Sequence, residues 1–316
     1  MEKKASIVVT LYNGSRFILE QLESLRIQTY TNIEVIIADD VSKDNGMALV
    51  EKFIKENGLS ANWKLIVNSQ NKGYLKNFLE TAALTTGDVI FFCDQDDVWN
   101  ANKVEIMMQT LDEHLEVNML CSNLVPFTEE NGARKLNPKF LSEMKDDGTV
   151  DILGMVQNIF HCKRSGCTMC IRRSYYDQII PYWISSWAHD EFVWKMACID
   201  NCCGIVHRFT TNRRLHFDNV TNIKERTRDG RIKQLWEMIE CNDSLLKYAV
   251  DRNADRRVVE KIKKYKKSLQ KRTKLLISRN PIIWLSLWKN YAECYPRRTG
   301  LFLDLYLVFF KTCKMN

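Results

Sequence analysis

Three carboxylates follow one apolar segment within four positions of the chain. The segment FFCDQDDVW, residues 91–99, places Asp94, Asp96 and Asp97 directly after the apolar run. Carboxylates this close repel one another, and the repulsion costs stability unless a cation lies among them. An Asp-X-Asp pair suits a hard divalent cation such as Mg²⁺ or Mn²⁺, which takes oxygen ligands and completes its coordination with water and substrate phosphates. The sequence therefore predicts that Asp94 and Asp96 bind a divalent metal that carries a diphosphate.

Polar residues also follow three other predicted strands near the start of the chain. Strand and helix patterns alternate here, which predicts an α/β fold with a mostly parallel sheet and helices on both faces. Ligands of such sheets bind at the carboxyl ends of the strands. The residues that the pattern places at those ends are Thr10 to Tyr12, Asp39 and Asp40, residues 68–73, and Asp94 to Asp97. We therefore expect four strands to direct polar side chains into one crevice.

The second half of the chain has a less regular pattern. The sequence predicts a strand at residues 119–127, a polar loop at 128–149, a helix at 151–160 and another helix that begins at His189. Beyond residue 230, apolar residues recur at helical spacing among many lysines. This pattern predicts a continuous basic helical extension.

Charge is distributed unevenly along the 316 residues. Residues 221–316 carry 23 Lys and Arg against 10 Asp and Glu, whereas residues 1–220 carry 23 against 29. An acidic front and a basic end predict a catalytic body that holds a metal, followed by an extension that meets an anionic surface. The 45% share of apolar residues is enough for a full core.

The apolar segments and the cysteines predict a cytoplasmic protein. No segment reaches the ~18 apolar residues of a membrane-spanning helix, and the start of the chain lacks the apolar region of a secretory signal. We expect the eleven cysteines, including the adjacent Cys202 and Cys203, to be reduced thiols in the core. Cys162, Cys167 and Cys170 have a spacing found among iron–sulfur ligands, but no fourth cysteine is suitably placed, which favours core thiols.

Six segments in the same order resemble those of family 2 inverting glycosyltransferases with the GT-A fold. They are SIVVTLYNGSRFILEQLESLRIQTYTNIEVIIADDVSKDNG, NKGYLKNF, DVIFFCDQDDVWNANKV, GCTMCIRR, AHDEFVWKMA and RRLHFDNVTN, and the last three are most like bacterial rhamnosyltransferase-like and polysaccharide-building members. The resemblance implies a Rossmann-like catalytic domain at residues 1–222. It implies a nucleotide-sugar-binding half at 1–110, an acceptor half at 111–222, and a basic α-helical extension at 223–316.

The resemblance also implies which residues bind the donor. Thr10 and Tyr12 are expected to contact the pyrimidine base and the ribose, and Asp40 to accept the N–H of the base. Asp96 is implied as a direct metal ligand, with Asp94 a second ligand or a contact of the ribose. The further implied positions around the nucleoside and diphosphate are Asn71, Lys72 and Gly73, where glycine permits close backbone approach.

A basic segment is expected to close over the donor. Arg214, His216 and Asn219 match the Arg-X-His-X-X-Asn pattern of the family. A positively charged loop over the diphosphate would stabilise the leaving group and exclude water. The alternative is a surface loop in which His216 only forms hydrogen bonds with nearby backbone.

Inversion at a sugar carbon requires a base on the face opposite the departing diphosphate, because the acceptor hydroxyl loses its proton as it attacks. Asp190 in AHDEF matches the base of the family, with Glu191 as the rival. Asp190 is also a suitable residue for the N-terminus of the helix that follows, and the two roles are compatible.

Together, these features predict a metal-dependent inverting glycosyltransferase. It would transfer a hexosyl or deoxyhexosyl group from a nucleotide-diphosphate sugar to a hydroxyl of a glycan or a lipid-linked acceptor, in cell-surface polysaccharide synthesis. Two alternatives stay open. DQDDV also fits a haloacid-dehalogenase-like phosphatase in which Asp94 is phosphorylated and Asp96 acts as the acid. The chain could instead be a non-catalytic protein that binds membranes.

The basic end has its own alternatives. Residues 261–274 lack a nucleic-acid recognition motif, and the aromatic-rich end of the chain fits an anionic membrane surface, so nucleic acid is not an expected partner. Peripheral attachment to the inner face of the cell membrane would suit a lipid-linked acceptor. A solvated helical cap on the catalytic domain is the remaining alternative.

Overall fold

A computed structural model describes residues 2–129, 136, 138–154, 162–217, 219, 227–295 and 298–310. Within these ranges the chain forms one sheet of nine strands, with helices on both faces. The strands are β1 (Ala5–Leu11), β2 (Ile33–Asp39), β3 (Trp63–Val67), β4 (Val89–Cys93), β5 (Val98–Trp99), β6 (Met119–Phe127), β7 (Val150–Leu153), β8 (Met169–Arg172) and β9 (Cys203–Arg214).

The helices fall into two groups along the chain. Those that alternate with the strands are α1 (Ile18–Arg26), α2 (Gly46–Glu56), α3 (Tyr74–Ala82), α4 (Lys103–Glu113), α5 (Pro138–Ser142), α6 (Arg173–Ile179) and α7 (His189–Ile199). Those that follow the sheet are α8 (Arg228–Asp251), α9 (Arg256–Ser278), α10 (Ile282–Tyr291) and α11 (Arg298–Phe309). In the described ranges, no helix has both the length and the apolar composition that crossing a membrane requires.

Strand pairing brings the predicted polar segments to one edge. The order is β3-β2-β1-β4-β8-β6-β9-β5, and β7 also pairs with β9. The first four strands are mutually parallel, as are β6 and β9, whereas β5, β7 and β8 pair antiparallel with their neighbours. Leu11 is opposite Asp39, and Asp39 is opposite Val67, so β1, β2 and β3 end at the same level. The predicted α/β fold class is therefore confirmed.

Side chains alternate between the two faces of the sheet because successive residues of a strand point in opposite directions. Ile7 and Ile37 pack in one core with α1, α2 and α4, whereas Val8 and Phe92 pack in the other with α3, α6 and α7. Both faces of the central strands are buried. This burial explains why β1 and β4 read as nearly continuous apolar runs in the sequence.

Three parts of the secondary structure differ from the expectation. The helix predicted at 151–160 is wrong over its first residues, which form β7, and residues 155–161 lie outside the described part of the chain. β9 is the longest strand among the described residues, yet the sequence contains little sign of it. Its buried residues include the polar His207, Thr210 and Thr211, so the strand lacks a continuous apolar pattern. The continuous basic helix predicted beyond 230 is divided into α8 to α11.

The C-terminal helices enclose a buried ion pair. Asp304 of α11 is fully buried and accepts hydrogen bonds from Arg272 Nε of α9 at 2.7 Å, Arg231 Nε of α8 at 3.3 Å and the Tyr295 hydroxyl at 2.9 Å. The carboxylate therefore joins three helices. The ten cysteines of the described ranges are all free thiols, as expected.

We expect the substitution Asp304→Leu to lower the free energy of unfolding by ~3–5 kcal/mol, because it leaves the buried Arg272 without its anion. Chemical denaturation followed by helix content measures this loss. The double substitution Asp304→Leu/Arg272→Met should recover much of it, and Lys274→Met on the exposed side of α9 serves as the control. An Asp304→Leu variant as stable as the wild type would contradict the structural role of the pair.

Candidate active site

The three carboxylates after β4 have different surroundings. Asp97 is only 2% exposed, and its Oδ1 accepts the backbone N–H of Arg214 at 3.0 Å. Asp96 Oδ2 lies 2.7 Å from His216 Nε2 and accepts a hydrogen bond from Asn219 Nδ2 at 3.2 Å. Asp96 and Asp97 therefore connect the loop after β4 to the end of β9 and to the residues that follow it.

Asp94 belongs to a compact cluster of possible metal ligands. One carboxylate oxygen of Asp94, one of Asp97 and the Cys167 sulfur all lie within 4.8 Å of one another. A hard divalent cation takes carboxylate oxygens as ligands, so Asp94 and Asp97 fit Mg²⁺ or Mn²⁺. The thiol is a softer ligand than these ions prefer. The expectation that Asp94 and Asp96 bind the metal stays a prediction, and Asp97 is added to the candidates.

The pKa values of Asp94 and Asp97 reflect the repulsion among the clustered carboxylates. Burial raises the pKa of Asp94 well above its usual range, and the charges of Asp97 and Asp96 raise it further. Burial, followed by the charge of Asp96, raises the pKa of Asp97 to about 7. Asp97 does not cap the following helix, because α4 begins only after Asn102. A cation in the cluster would relieve the repulsion directly.

Asp190 lies in the first turn of α7, where the sequence placed it. Its Oδ1 accepts the N–H of Glu191 at 2.7 Å, and the residue that precedes the helix is Ala188. Burial, followed by the charge of Glu191, raises the pKa of Asp190 to about 6. Glu191 forms an ion pair with Lys195 at 2.9 Å. The charge of Asp190 also raises the pKa of Asp94, so the two carboxylates share one electrostatic environment.

Arg213 is the cation of this environment, and the sequence analysis missed it. Its charge lowers the pKa values of Asp94, Asp97 and Asp190, and its Nη1 donates to Ser165 Oγ at 2.7 Å. Arg213 is adjacent to Arg214 on a strand, where neighbouring side chains point to opposite faces. If β9 had been predicted as a strand, the sequence would also have indicated that Arg213 and Arg214 point to opposite faces.

Arg214, the predicted donor contact, is buried and surrounded by other groups. Its guanidinium contacts the carboxylates of Glu20 and Glu129 and lies over the rings of Phe17 and Phe127 at 4.9 and 4.6 Å. Its Nε donates to the backbone oxygen of Asp96 at 3.0 Å. These contacts fix the acidic loop to β9, and contact of Arg214 with the donor stays a prediction.

Asp40 organises the loop that follows β3. Its two carboxylate oxygens accept the backbone N–H groups of Lys72 at 2.8 Å and Gly73 at 2.7 Å, and Asn68 Nδ2 donates to Oδ1 at 2.9 Å. The backbone oxygen of Asp40 accepts from Asn71 Nδ2 at 3.0 Å. The predicted donor residues 40 and 71–73 are thus held together.

The backbone of this loop needs a glycine at one position. Gly73 has a φ of +75° directly before α3, a conformation that residues with a Cβ rarely adopt. The Lys72 ammonium forms an ion pair with Glu80 at 2.9 Å. Its side chain is therefore engaged on α3, while its backbone N–H belongs to the Asp40 network.

Thr10 and Tyr12 lie at the carboxyl end of β1, beside the acidic loop. Gln95 joins the two segments, because its Oε1 accepts the Tyr12 N–H at 2.8 Å and its Nε2 donates to the Tyr12 backbone oxygen at 3.1 Å. Thr10 is half-buried, whereas the Tyr12 side chain is exposed. An exposed aromatic ring at this edge is available to a planar ligand.

A family comparison and several relatives agree on the kind of protein. The model described as "Glycosyl transferase family 2" matches residues 6–179. The dTDP-rhamnosyl transferase RfbG of Shigella flexneri is 27% identical over 215 residues, which cover 63% of this chain and 68% of that protein. Three other curated bacterial glycosyltransferases are matched over only 24% to 48% of their own lengths.

Solved structures share the fold over nearly the whole chain. The S. aureus TarS fragment 1–349 in complex with UDP-GlcNAc is 20% identical with a TM-score of 0.63, and covers 96% of this chain and 81% of that one. The mannosyltransferase PcManGT from Pyrobaculum calidifontis, in complex with GDP-Man and Mn²⁺, is 13% identical with a TM-score of 0.57, and covers 98% and 86%. At these identities the likeness shows a common fold.

We expect Mn²⁺ to raise the melting temperature, because an ion that binds only the folded chain stabilises it by ~2.7 kcal/mol at a hundredfold excess over Kd. The substitution Asp94→Asn should remove most of this shift. The exposed Asp112→Asn is the matched control and should retain it. Differential scanning calorimetry measures the effect, and an equal shift in the wild type and in Asp94→Asn would place the ion elsewhere.

Proposed function

The chain belongs to glycosyl transferase family 2, and we propose that it transfers a sugar from a nucleotide-diphosphate sugar to a hydroxyl of a glycan or a lipid-linked acceptor, with inversion and with a divalent cation. One observation carries the proposal. Residues 165–167 connect the acidic loop after β4 with Asp190 of α7. The Cys167 sulfur lies within 4.8 Å of a carboxylate oxygen of Asp94, and a Cβ at Gly166 would lie 3.4 Å from the Cβ of Asp190. Arg213 Nη1 donates to Ser165 Oγ at 2.7 Å, and its charge lowers the pKa values of Asp94 and Asp190. A metal-binding group and a base are the two acidic functions that the reaction needs.

The donor would occupy the carboxyl edge of β1 to β4. Asp94, with Asp96 and Asp97, would hold Mn²⁺ or Mg²⁺, which when bound would neutralise charge on the diphosphate. Thr10 and Tyr12 would contact the nucleoside. Mn²⁺ in the complex of the mannosyltransferase PcManGT supports a divalent ion in this fold.

Asp40 and the residues 71–73 would form the other side of the nucleoside site. The carboxylate of Asp40 already accepts two backbone N–H groups of that loop, so we assign it first to loop geometry and second to the base. Each carboxylate oxygen has two lone pairs, and Oδ2 accepts a hydrogen bond from the N–H of Gly73. An N–H of the base could therefore still approach Oδ2.

Leaving-group stabilisation would come from the end of β9. Arg213 is the arginine whose charge reaches the acidic cluster, so we propose that it accompanies the departing diphosphate. Arg214 would act on the same step mainly by holding the acidic loop through the Asp96 backbone. His216 and Asn219 contact the Asp96 carboxylate and would orient it.

Asp190 would remove the proton of the acceptor hydroxyl. Its Oδ1 is engaged with the N–H of Glu191, so Oδ2 is the oxygen that we assign to the proton. Glu191 would tune this base rather than replace it, because Glu191 is paired with Lys195 and raises the pKa of Asp190.

The relatives support a class of donor. RfbG is described as a dTDP-rhamnosyl transferase, and TarS and PcManGT are solved with UDP-GlcNAc and GDP-Man. We therefore propose a hexosyl or deoxyhexosyl donor and a role in cell-surface polysaccharide synthesis, at the cytoplasmic face of the membrane. No described feature favours the phosphatase alternative, whose motif belongs on a first strand, whereas here it follows β4.

A thermal-shift panel of nucleotide sugars tests the proposed donor class. We expect one nucleotide sugar to raise the melting temperature more in the presence of Mn²⁺ than in its absence, because the ion bridges the protein and the diphosphate. The corresponding nucleoside monophosphate should give a smaller shift. A panel with no ion-dependent shift would contradict the proposal.

Two adjacent substitutions distinguish the base from its neighbour. We expect Asp190→Asn to lower kcat by ~10²–10⁴-fold, because general base catalysis contributes about that much. The thermal shift with donor should remain. The matched variant Glu191→Gln should retain most of the activity, as measured by release of the nucleoside diphosphate. If Glu191→Gln loses activity and Asp190→Asn retains it, Glu191 is the base and Asp190 is its neighbour.

The activity should depend on pH through Asp190. The base must be unprotonated, so kcat/KM should fall as pH decreases through about 6, the pKa of Asp190, and be level above it. Glu191→Gln should shift this fall to lower pH, because it removes the neighbouring negative charge that raises the pKa. If the pH profile of Glu191→Gln is not shifted, the fall in kcat/KM does not reflect protonation of Asp190.

A further inference from the structure

Helices α10 and α11 expose many large apolar side chains to solvent. Each of these side chains is between 40% and 70% exposed, and together we call them the aromatic face: Ile282, Leu285, Trp288, Phe302, Tyr306 and Phe309. Single exposed apolar residues are ordinary on protein surfaces, whereas a group of six on two adjacent helices is not.

The aromatic face is one side of each helix. Its positions in α11, at residues 302, 306 and 309, recur at helical spacing, as do those in α10 at 282, 285 and 288. The opposite sides are also apolar, since Leu287 and Leu301 are buried in the small core between the helices. Helices that are apolar all round are typical of protein interiors and membranes.

Contacts between the two helices make the face continuous. The Trp284 ring lies 5.5 Å from the Trp288 ring and 6.0 Å from the Phe302 ring, and its Nε1 donates to the backbone oxygen of Leu301 at 2.9 Å. The half-buried Trp284 therefore bridges α10 and α11. Trp284 thus links the exposed residues of the two helices into one surface.

Basic residues accompany the patch. Residues 261–289 contain ten Lys and Arg and no Asp or Glu. Lys274, Arg279 and Lys289 are exposed, and within the described ranges they form no ion pair. Lys289 directly follows Trp288 on α10, so a cation lies at the margin of the apolar surface.

We propose that the aromatic face binds the surface of an anionic lipid bilayer. Tryptophan, tyrosine and phenylalanine insert at the level of the headgroups, while flanking lysines and arginines attract anionic lipids. A second copy of the chain fits less well, because a twofold interface would bring the same positive charges together. The face contributes no residue to the candidate active site, so the inference goes beyond the transfer reaction.

The aromatic-rich end of the chain, which the sequence analysis associated with an anionic membrane, forms α11, whereas the basic segment contributes mainly to the helical bundle. The basic segment 261–274 lies in α9, whose apolar residues Tyr265 and Leu269 are buried with Leu235 and Ile239 of α8. α9 therefore stabilises the helical bundle. In this proposal α10 and α11 make the apolar contact with lipid, and α9 contributes positive charge.

Cosedimentation of the full chain with vesicles tests the proposal. We expect binding to vesicles that contain phosphatidylglycerol, little binding to phosphatidylcholine alone, and a decrease with added salt. The substitution Leu285→Ser/Trp288→Ser should weaken binding by about tenfold or more, because it removes two apolar side chains from the contact. Trp236→Ser on α8 is the matched control, since Trp236 is 52% exposed and Trp288 is 59% exposed.

The outcomes are distinct from those of the transfer reaction. The variants should keep the melting temperature and the donor-induced shift of the wild type, because the altered residues are exposed and distant in sequence from the site. Equal loss in Trp236→Ser and in the double variant would contradict the aromatic face. Absence of vesicle binding by the wild type would overturn the proposal, as would a dimer in sedimentation equilibrium that Leu285→Ser/Trp288→Ser dissociates.

Discussion

Repulsion among carboxylates at the end of β4 is the constraint on which the rest of the site depends. Three acidic residues in four positions cannot all ionise cheaply when they are partly shielded from water. The fold accommodates Asp97 and Asp96 by giving each a hydrogen-bond donor from the end of β9, and Arg213 reduces the repulsion further. The buried Lys103, which donates to the backbone oxygen of Cys167, is a second cation beside the cluster. Two cations near three carboxylates leave a net negative charge, which suits a divalent ion.

β9 connects this cluster to the remainder of the molecule. Arg214 contacts α1 through Glu20 and the acidic loop through Asp96, while its neighbour Arg213 reaches towards the acids. In β9, Arg214, which holds the acidic loop, is therefore adjacent to Arg213, which is proposed to accompany the diphosphate. Asp190 belongs to α7, which packs in the core that also contains α3 and α6, so the proposed metal-binding and base functions would be supplied by separate elements.

Much of the parallel part of the sheet could be predicted from the sequence, because apolar runs ending in Asp39 or Asp94 have few structural interpretations other than buried parallel strands. The family and the fold class followed from the same segments. β9 was missed because polar residues such as His207, Thr210 and Thr211 are buried along with its apolar ones, and periodicity in apolar residues is the signal on which strand prediction relies. Arg213 was missed with it. The partners of Asp40 depend on loop geometry that no local pattern encodes.

Manganese binding with and without nucleotide tests the central claim most directly. Electron paramagnetic resonance of free Mn²⁺ can be followed while the protein is added, first alone and then with the nucleoside diphosphate of its donor. If the carboxylate cluster and the diphosphate share one ion, the chain should bind about one Mn²⁺, more tightly with the nucleotide, and linkage requires the nucleotide to gain affinity by the same factor. Mn²⁺ affinity that is unchanged by the nucleotide would contradict the account.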